Sequence, residues 1–140
     1  MMPTARPPGS AGAIGHLEKV RGLALCGRFL AVGGLRAGPT SQVTFYDVVS
    51  EKPGKTVELP CQVLGLAATA TTVVAACSDG ALRVISPATG KVERELKAHQ
   101  GPCTAVAVHG ATAITVGEDG ALRSFALTDG KRIREHQLSR

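Results

Sequence analysis

The sequence predicts an all-β protein assembled from about three copies of a four-stranded antiparallel meander. Three observations carry this expectation. "SDGALRVISPATGK" at 78–91 returns as "EDGALRSFALTDGK" at 118–131, an offset of 40 residues, and 78–97 set against 118–137 keeps nine identities in twenty positions. Short apolar runs recur at even spacing between turns rich in Gly and Asp, with no helical period between them. Hydrophobic residues make up 44% of the 140 positions but aromatics only 3%, with no Trp. The interior must therefore be a close packing of Val, Leu, Ile and Ala.

The elements follow in chain order. Residues 1–15, rich in Pro, Gly and Ala, are expected to be a disordered arm, and 16–140 the folded part, in units of about 20–60, 61–98 and 99–138. The first and loosest unit has two strands in "VRGLALCGRFLAVGG", a third in "QVTFYDVV" and a fourth in "GKTVEL". It carries an insertion, "LRAGPTS", where the later units have a two-residue turn. The second unit reads as strands over 63–68, 72–77, 81–86 and 91–97, and the third as strands over 103–108, 112–117, 121–126 and 131–137. Asp79-Gly80 and Asp119-Gly120 supply the turns between second and third strands, where tight hairpins need residues that tolerate positive φ.

A four-stranded unit at a period near 40 is the signature of propeller blades. The stretch "LKAHQGPCTAVAVHGATAITVGEDGALRSFALTDGK" resembles the WD-repeat β-propeller family. His99 stands where the family's Gly-His dipeptide falls, Asp119 lies in its inner turn, and Phe125-Ala126 takes its Trp-Asp position, matched by Tyr46-Asp47 and Ile85-Ser86 in the other units. The strand position that often holds Ser or Thr is read as Val116 and Ala76, so only a His99–Asp119 contact is expected to remain of the family's hydrogen-bond network. His99, Asp79, Gly80, Asp119 and Gly120 are accordingly structural. The resemblance covers about 120 residues, strongly over 61–138, and implies an incomplete ring of about three β-propeller blades.

Several functional classes find no support. "GGLRAGPT" has the glycine spacing of a phosphate loop but lacks its Lys and the helix that should follow. His16, His99, His109 and His136 are scattered, and no Ser or Cys nucleophile has a base and an orienting acid beside it, so no enzyme is expected. Cys26, Cys61, Cys77 and Cys103 form no CxxC pair and have no His at ligand spacing, which argues against zinc, and Cys61, Cys77 and Cys103 lie in apolar surroundings, which suits small buried thiols in a reducing compartment. That places the chain in the cytoplasm, with the nucleus as the alternative. The charge-free run 59–78 is long enough for a membrane span, but Pro60, Gln62, Gly65 and its threonines fit two short strands better. No cofactor, metal or membrane partner is expected. Arg83 and Arg123 recur at one strand position, which points to packing or edge solvation, and the charged strands "KVERELK" and "KRIREHQ" read as outer blade edges.

The resemblance implies a non-enzymatic scaffold that binds a protein or peptide partner. Three blades leave two apolar faces open, so the chain is expected to be a fragment or short form of a longer propeller, or to complete a ring by self-association or with a partner chain. The rim that carries the turns between second and third strands is the expected partner surface. Leu35, Arg36 and Pro39 of the insertion, with Gln100 and Glu118, are its candidate contacts. A net charge of +5 leaves a nucleic-acid-binding propeller as the alternative, without the interleaved basic and aromatic residues that would favour it.

Overall fold

A computed structural model describes residues 19–35, 38 and 40–138. The proposed arm and two of the candidate contacts, Arg36 and Pro39, lie outside these residues. Twelve strands and no helix occur among the described residues. They form three four-stranded antiparallel sheets, each a meander in chain order. The first holds β1 (Lys19–Cys26), β2 (Phe29–Leu35), β3 (Ser41–Asp47) and β4 (Lys52–Leu59). The second holds β5 (Val63–Ala68), β6 (Val73–Cys77), β7 (Ala81–Ser86) and β8 (Lys91–Lys97). The third holds β9 (Cys103–His109), β10 (Thr112–Gly117), β11 (Ala121–Ala126) and β12 (Arg132–Gln137). The three sheets are not closed into a ring.

Local chemistry sets the turns. Gly80 and Gly120 have φ of 88° and 79°, and Asp79 and Asp119 each accept a hydrogen bond at 3.1 Å from the amide two residues on. Where no Asp-Gly turn exists, side chains serve instead. Asp47 Oδ1 accepts from the Val49 and Ser50 amides at 2.9 and 3.1 Å, and Thr69 Oγ1 from those of Thr71 and Thr72 at 3.2 and 3.0 Å. Each fourth strand shifts register against the third at the same place, between Thr44 and Tyr46, Val84 and Ile85, and Ser124 and Phe125. Such bulges increase the local twist, and their common position confirms that Tyr46, Ile85 and Phe125 are equivalent.

Packing between sheets follows the repeat. Ala31, Val43, Phe45, Val57 and Leu59 of the first sheet bury against Val63, Val73, Ala75, Cys77 and Ile85 of the second. The equivalent set on the second sheet, Val74, Leu82, Val84, Leu96 and Ala98, buries against Ala113 and Phe125 of the third. Alternate residues of each central strand thus face opposite neighbours, and β6 of the middle sheet is apolar on both sides. β6 and β7 are buried at every position.

Among the described residues, one face of each terminal sheet is less covered than its counterpart in the middle sheet, which serves as the internal control. Leu66 and Ala68 of β5 pack on the first sheet, whereas Leu23 and Leu25, at the same places in β1, are 61% and 60% exposed. At the other end, Val74, Ala76 and Leu82 are fully buried beneath the third sheet. Ile114, Val116 and Leu122, 40 residues on, are only half-buried. No helix among the described residues is long and apolar enough to cross a membrane.

Candidate functional site

One rim of the three sheets gathers the turns between second and third strands and the loops that lead into β5 and β9. At the junction of the first two sheets, the Gln62 amide donates to Ser78 Oγ at 3.0 Å, and its carbonyl accepts from the Ser78 amide at 2.9 Å. Gln62 Nε2 also donates to the carbonyls of Gly38 and Thr40 at 2.8 and 3.1 Å. These bonds tie the described part of the insertion to the rim. Leu35 is half-buried at the end of β2, and the neighbouring Ser41 is fully buried, its hydroxyl donating to the Gly34 carbonyl at 2.7 Å. At the next junction Gln100 and Glu118 are both exposed, and the Glu118 amide donates to the Pro102 carbonyl at 3.0 Å. The described candidate contacts, Leu35, Gln100 and Glu118, therefore fall into two groups on one rim.

Beneath the second group lies a buried polar cluster. His99 is 2% exposed, and its Nδ1 is hydrogen-bonded to the Asp119 carboxylate at 3.0 Å, with Arg123 Nη1 2.9 Å from the same nitrogen. Its Nε2 is hydrogen-bonded to Thr115 Oγ1 at 2.9 Å. The expected His99–Asp119 contact is present, but the reading of Val116 at the hydroxyl position is corrected: Thr115 pairs across to Arg123 and faces the histidine, while Val116 points to the open side. A one-residue shift along a strand exchanges its two faces. Arg123 Nη1 donates to Asp119 Oδ2 at 2.9 Å and to the Ala98 carbonyl at 3.0 Å, and Nη2 reaches Glu135 at 3.3 Å. Burial opposes ionisation of Asp119, yet the bonds from Arg123, the Ala121 amide and His99 hold its carboxyl well below the usual range.

The second sheet repeats the frame with different chemistry. Arg83, 4% exposed, donates from Nη2 to Asp79 Oδ2 at 2.9 Å and from Nε to Glu95 Oε2 at 2.7 Å. Its Nη1 donates to Asp79 Oδ1 and to Cys61 Sγ, each at 3.1 Å. Asp79, Arg83 and Glu95 recur as Asp119, Arg123 and Glu135, so both arginines are taken up within their own sheet. Cys77 stands at the place of Gly117, against which the His99 ring rests in the third sheet. Two sulfurs thus replace one imidazole beside the Arg–Asp pair.

This cluster corrects the expectation of apolar surroundings for Cys61 and Cys77. The Sγ atoms of Cys61 and Cys77 and a carboxylate oxygen of Asp79 lie within 4.8 Å of one another, a donor set suited by type to a soft divalent cation. Arg83 Nη1, however, sits against two of the three donors and already supplies the positive charge there. The cluster escaped the spacing argument because strand pairing, Val63 opposite Cys77, brings the cysteines together across 16 residues. The roles of Glu95 and Glu135 were legible in principle, since both are among the identities of the repeat.

The opposite rim bears shallow, open clefts of about 300–370 Å³, one of them between Thr69–Thr72 and Gly110, Ala111, Leu127 and Thr128. None brings together a nucleophile, a base and an acid among the described residues.

No family model matches the chain. Among solved structures it is similar to the crystal structure of the computationally designed Ika8 protein, with a TM-score of 0.74 and 22% identity over 86% of this chain and 38% of that one. It is similar also to the computationally designed Ika4 protein, with a TM-score of 0.76 and 22% identity over 88% of this chain and 78% of that one. The chain thus spans well under half the length of the first. At this identity the likeness concerns the fold, and the repeated four-stranded meanders are of β-propeller type.

Proposed function

We propose that the chain is a non-enzymatic protein–protein interaction scaffold of WD-repeat type that works as part of a larger propeller, its missing blades supplied by another copy or by a partner chain. One observation carries the reading: positions that pack between neighbouring sheets elsewhere are exposed in β1, at Leu23 and Leu25, and lose full burial in the third sheet, at Ile114, Val116 and Leu122. Apolar surface of this kind, flanked by polar rims, is what stacked blades bury in one another. The His99–Asp119–Thr115 network supports the WD-type part of the reading, and the rim residues Leu35, Gln100 and Glu118, with Arg36 and Pro39, are the proposed partner contacts. The basic surplus supports a nucleic-acid partner less well, because Arg28, Arg83, Arg123 and Arg132 are engaged by acids of the same chain.

The test uses the double substitutions Leu23→Asp/Leu25→Asp and Ile114→Asp/Leu122→Asp. Each should abolish assembly in sedimentation velocity while circular dichroism keeps its β signal. Assembly unchanged by both would refute the scaffold reading. Binding of a single-stranded oligonucleotide whose affinity falls steeply with salt would favour the nucleic-acid reading instead.

A further inference from the structure

We propose that Cys61 and Cys77 form a reactive dithiol that closes to an intrachain disulfide under hydrogen peroxide, a modification site beneath the rim at the junction of the first two sheets. The proposal does not depend on the scaffold reading. Val63 pairs with Cys77, so Cys61, two residues earlier, lies on the same side of the sheet, and both cysteines belong to one packed cluster. Their sulfurs are within 4.8 Å of each other. In the third sheet the same space holds the His99 ring, and a Cβ at Gly117 would come within 2.5 Å of that ring. Cysteine at the position of Gly117 is accommodated because no imidazole is present.

The electrostatics single out this pair. Arg83 is buried, fixed by Asp79 and Glu95, and points Nη1 at Cys61 Sγ. The hydrogen bond from Cys61, together with Arg83, outweighs burial and pulls the Cys77 thiol below its ordinary value, while sharing with Cys77 and burial push Cys61 far up. A lowered thiol beside a guanidinium, with a second thiol within reach to resolve it, is the arrangement that favours oxidation to a disulfide. Cys26 and Cys103 are the internal controls. Burial raises both, Cys103 to about 12.

The chemistry balances with peroxide as oxidant. The Cys77 thiolate attacks one peroxide oxygen, the O–O bond breaks, and the departing hydroxide takes up a proton to leave as water. The Cys61 sulfur then attacks the resulting sulfenic sulfur, its proton leaves with the hydroxyl as a second water, and the S–S bond forms. Two thiols are oxidised and one peroxide is reduced to two waters. The route in is the loop between β4 and β5, where exposed Pro60 and half-exposed Gln62 flank Cys61. The bond would fasten that loop to β6, directly under Gln62 and Ser78.

The experiment treats the full chain with hydrogen peroxide, quenches with N-ethylmaleimide at intervals and maps the unreduced digest by mass spectrometry. A Cys61–Cys77 cross-linked peptide, reversed by dithiothreitol, should form about tenfold faster than Cys26 or Cys103 loses its free thiol. Cys61→Ser should abolish the cross-link and leave Cys77 as a sulfenic acid that dimedone traps. The wild-type rate comparison stands even if that variant fails to fold. Equal oxidation of all four cysteines, sulfinic acid on Cys77 without the cross-link, or cross-linking only in denaturant would each overturn the proposal. So would stoichiometric zinc binding that protects both thiols, since that would assign the cluster to a metal.

Discussion

Gly117 lacks a side chain where the His99 ring lies. A Cβ at this position would approach His99 Cγ and Nδ1 to 2.5 Å. The histidine in turn links β10, through Thr115, to the turn before β11, through Asp119. Gly117→Ala should therefore unseat the ring and cost about 1–3 kcal/mol, as overpacking of a buried site does. Denaturant melts of the two proteins provide the check. Stability unchanged within error would mean that the ring is not held as described.

That relationship shows what the sequence could and could not reveal. The strands of the second and third sheets were legible almost to the residue, because the 40-residue repeat fixes the frame and Asp-Gly turns mark the hairpins. Thr115 was misread as Val116 because a strand's period of two makes adjacent positions look alike until pairing assigns the faces. Cys61 and Cys77 were invisible as a pair because only the β5–β6 register brings them together. Arg36 and Pro39 lie outside the described residues, so their part of the rim rests on the sequence alone.

The turn at Gly80 is more constrained than its φ alone requires. Its carbonyl accepts from the amides of Ala98 and His99, each at 3.0 Å, and a Cβ there would collide with the His99 carbonyl. Gly80→Ala should lose about 1 kcal/mol or more through strain at positive φ, with collision adding to it. Equal thermal midpoints for wild type and variant would refute the turn.

Removing Arg83 should be costly but not catastrophic. Arg83→Met leaves Asp79 and Glu95 without their cation, yet their side chains are 41% and 59% exposed and water can take its place. A loss of about 1–3 kcal/mol is expected, below that of a fully buried pair. A double-mutant cycle with Glu95→Gln measures the coupling, and zero coupling would contradict the pairing.

Acid should weaken the fold within a defined window. The Arg28 hydrogen bond lowers the Asp47 carboxyl to about 2, and the bonds from Arg83 and Arg123 lower Asp79 and Glu135. A carboxyl lowered in the folded state contributes stability that is present above its unfolded value and is lost as pH falls through its folded value. Urea midpoints should be flat from neutrality to about pH 5 and fall between about pH 4 and 2. A midpoint constant across that lower interval would show that these pairs contribute nothing.

Replacing residues 36–40 with Asp-Gly tests the rim. Leu35 and buried Ser41 stay, so the β2–β3 hairpin should survive while binding of a protein partner falls. Unchanged affinity in a correctly folded variant would remove the insertion from the interface.

The claim that these are propeller blades with two incompletely covered faces is tested most directly by the molar mass of the purified 140-residue chain in light scattering coupled to size exclusion. A mass at a multiple of 14.4 kDa, or a defined complex with a partner chain, is the expected result. A single species at 14.4 kDa that melts cooperatively, with Leu23 and Leu25 exposed to water, would contradict it.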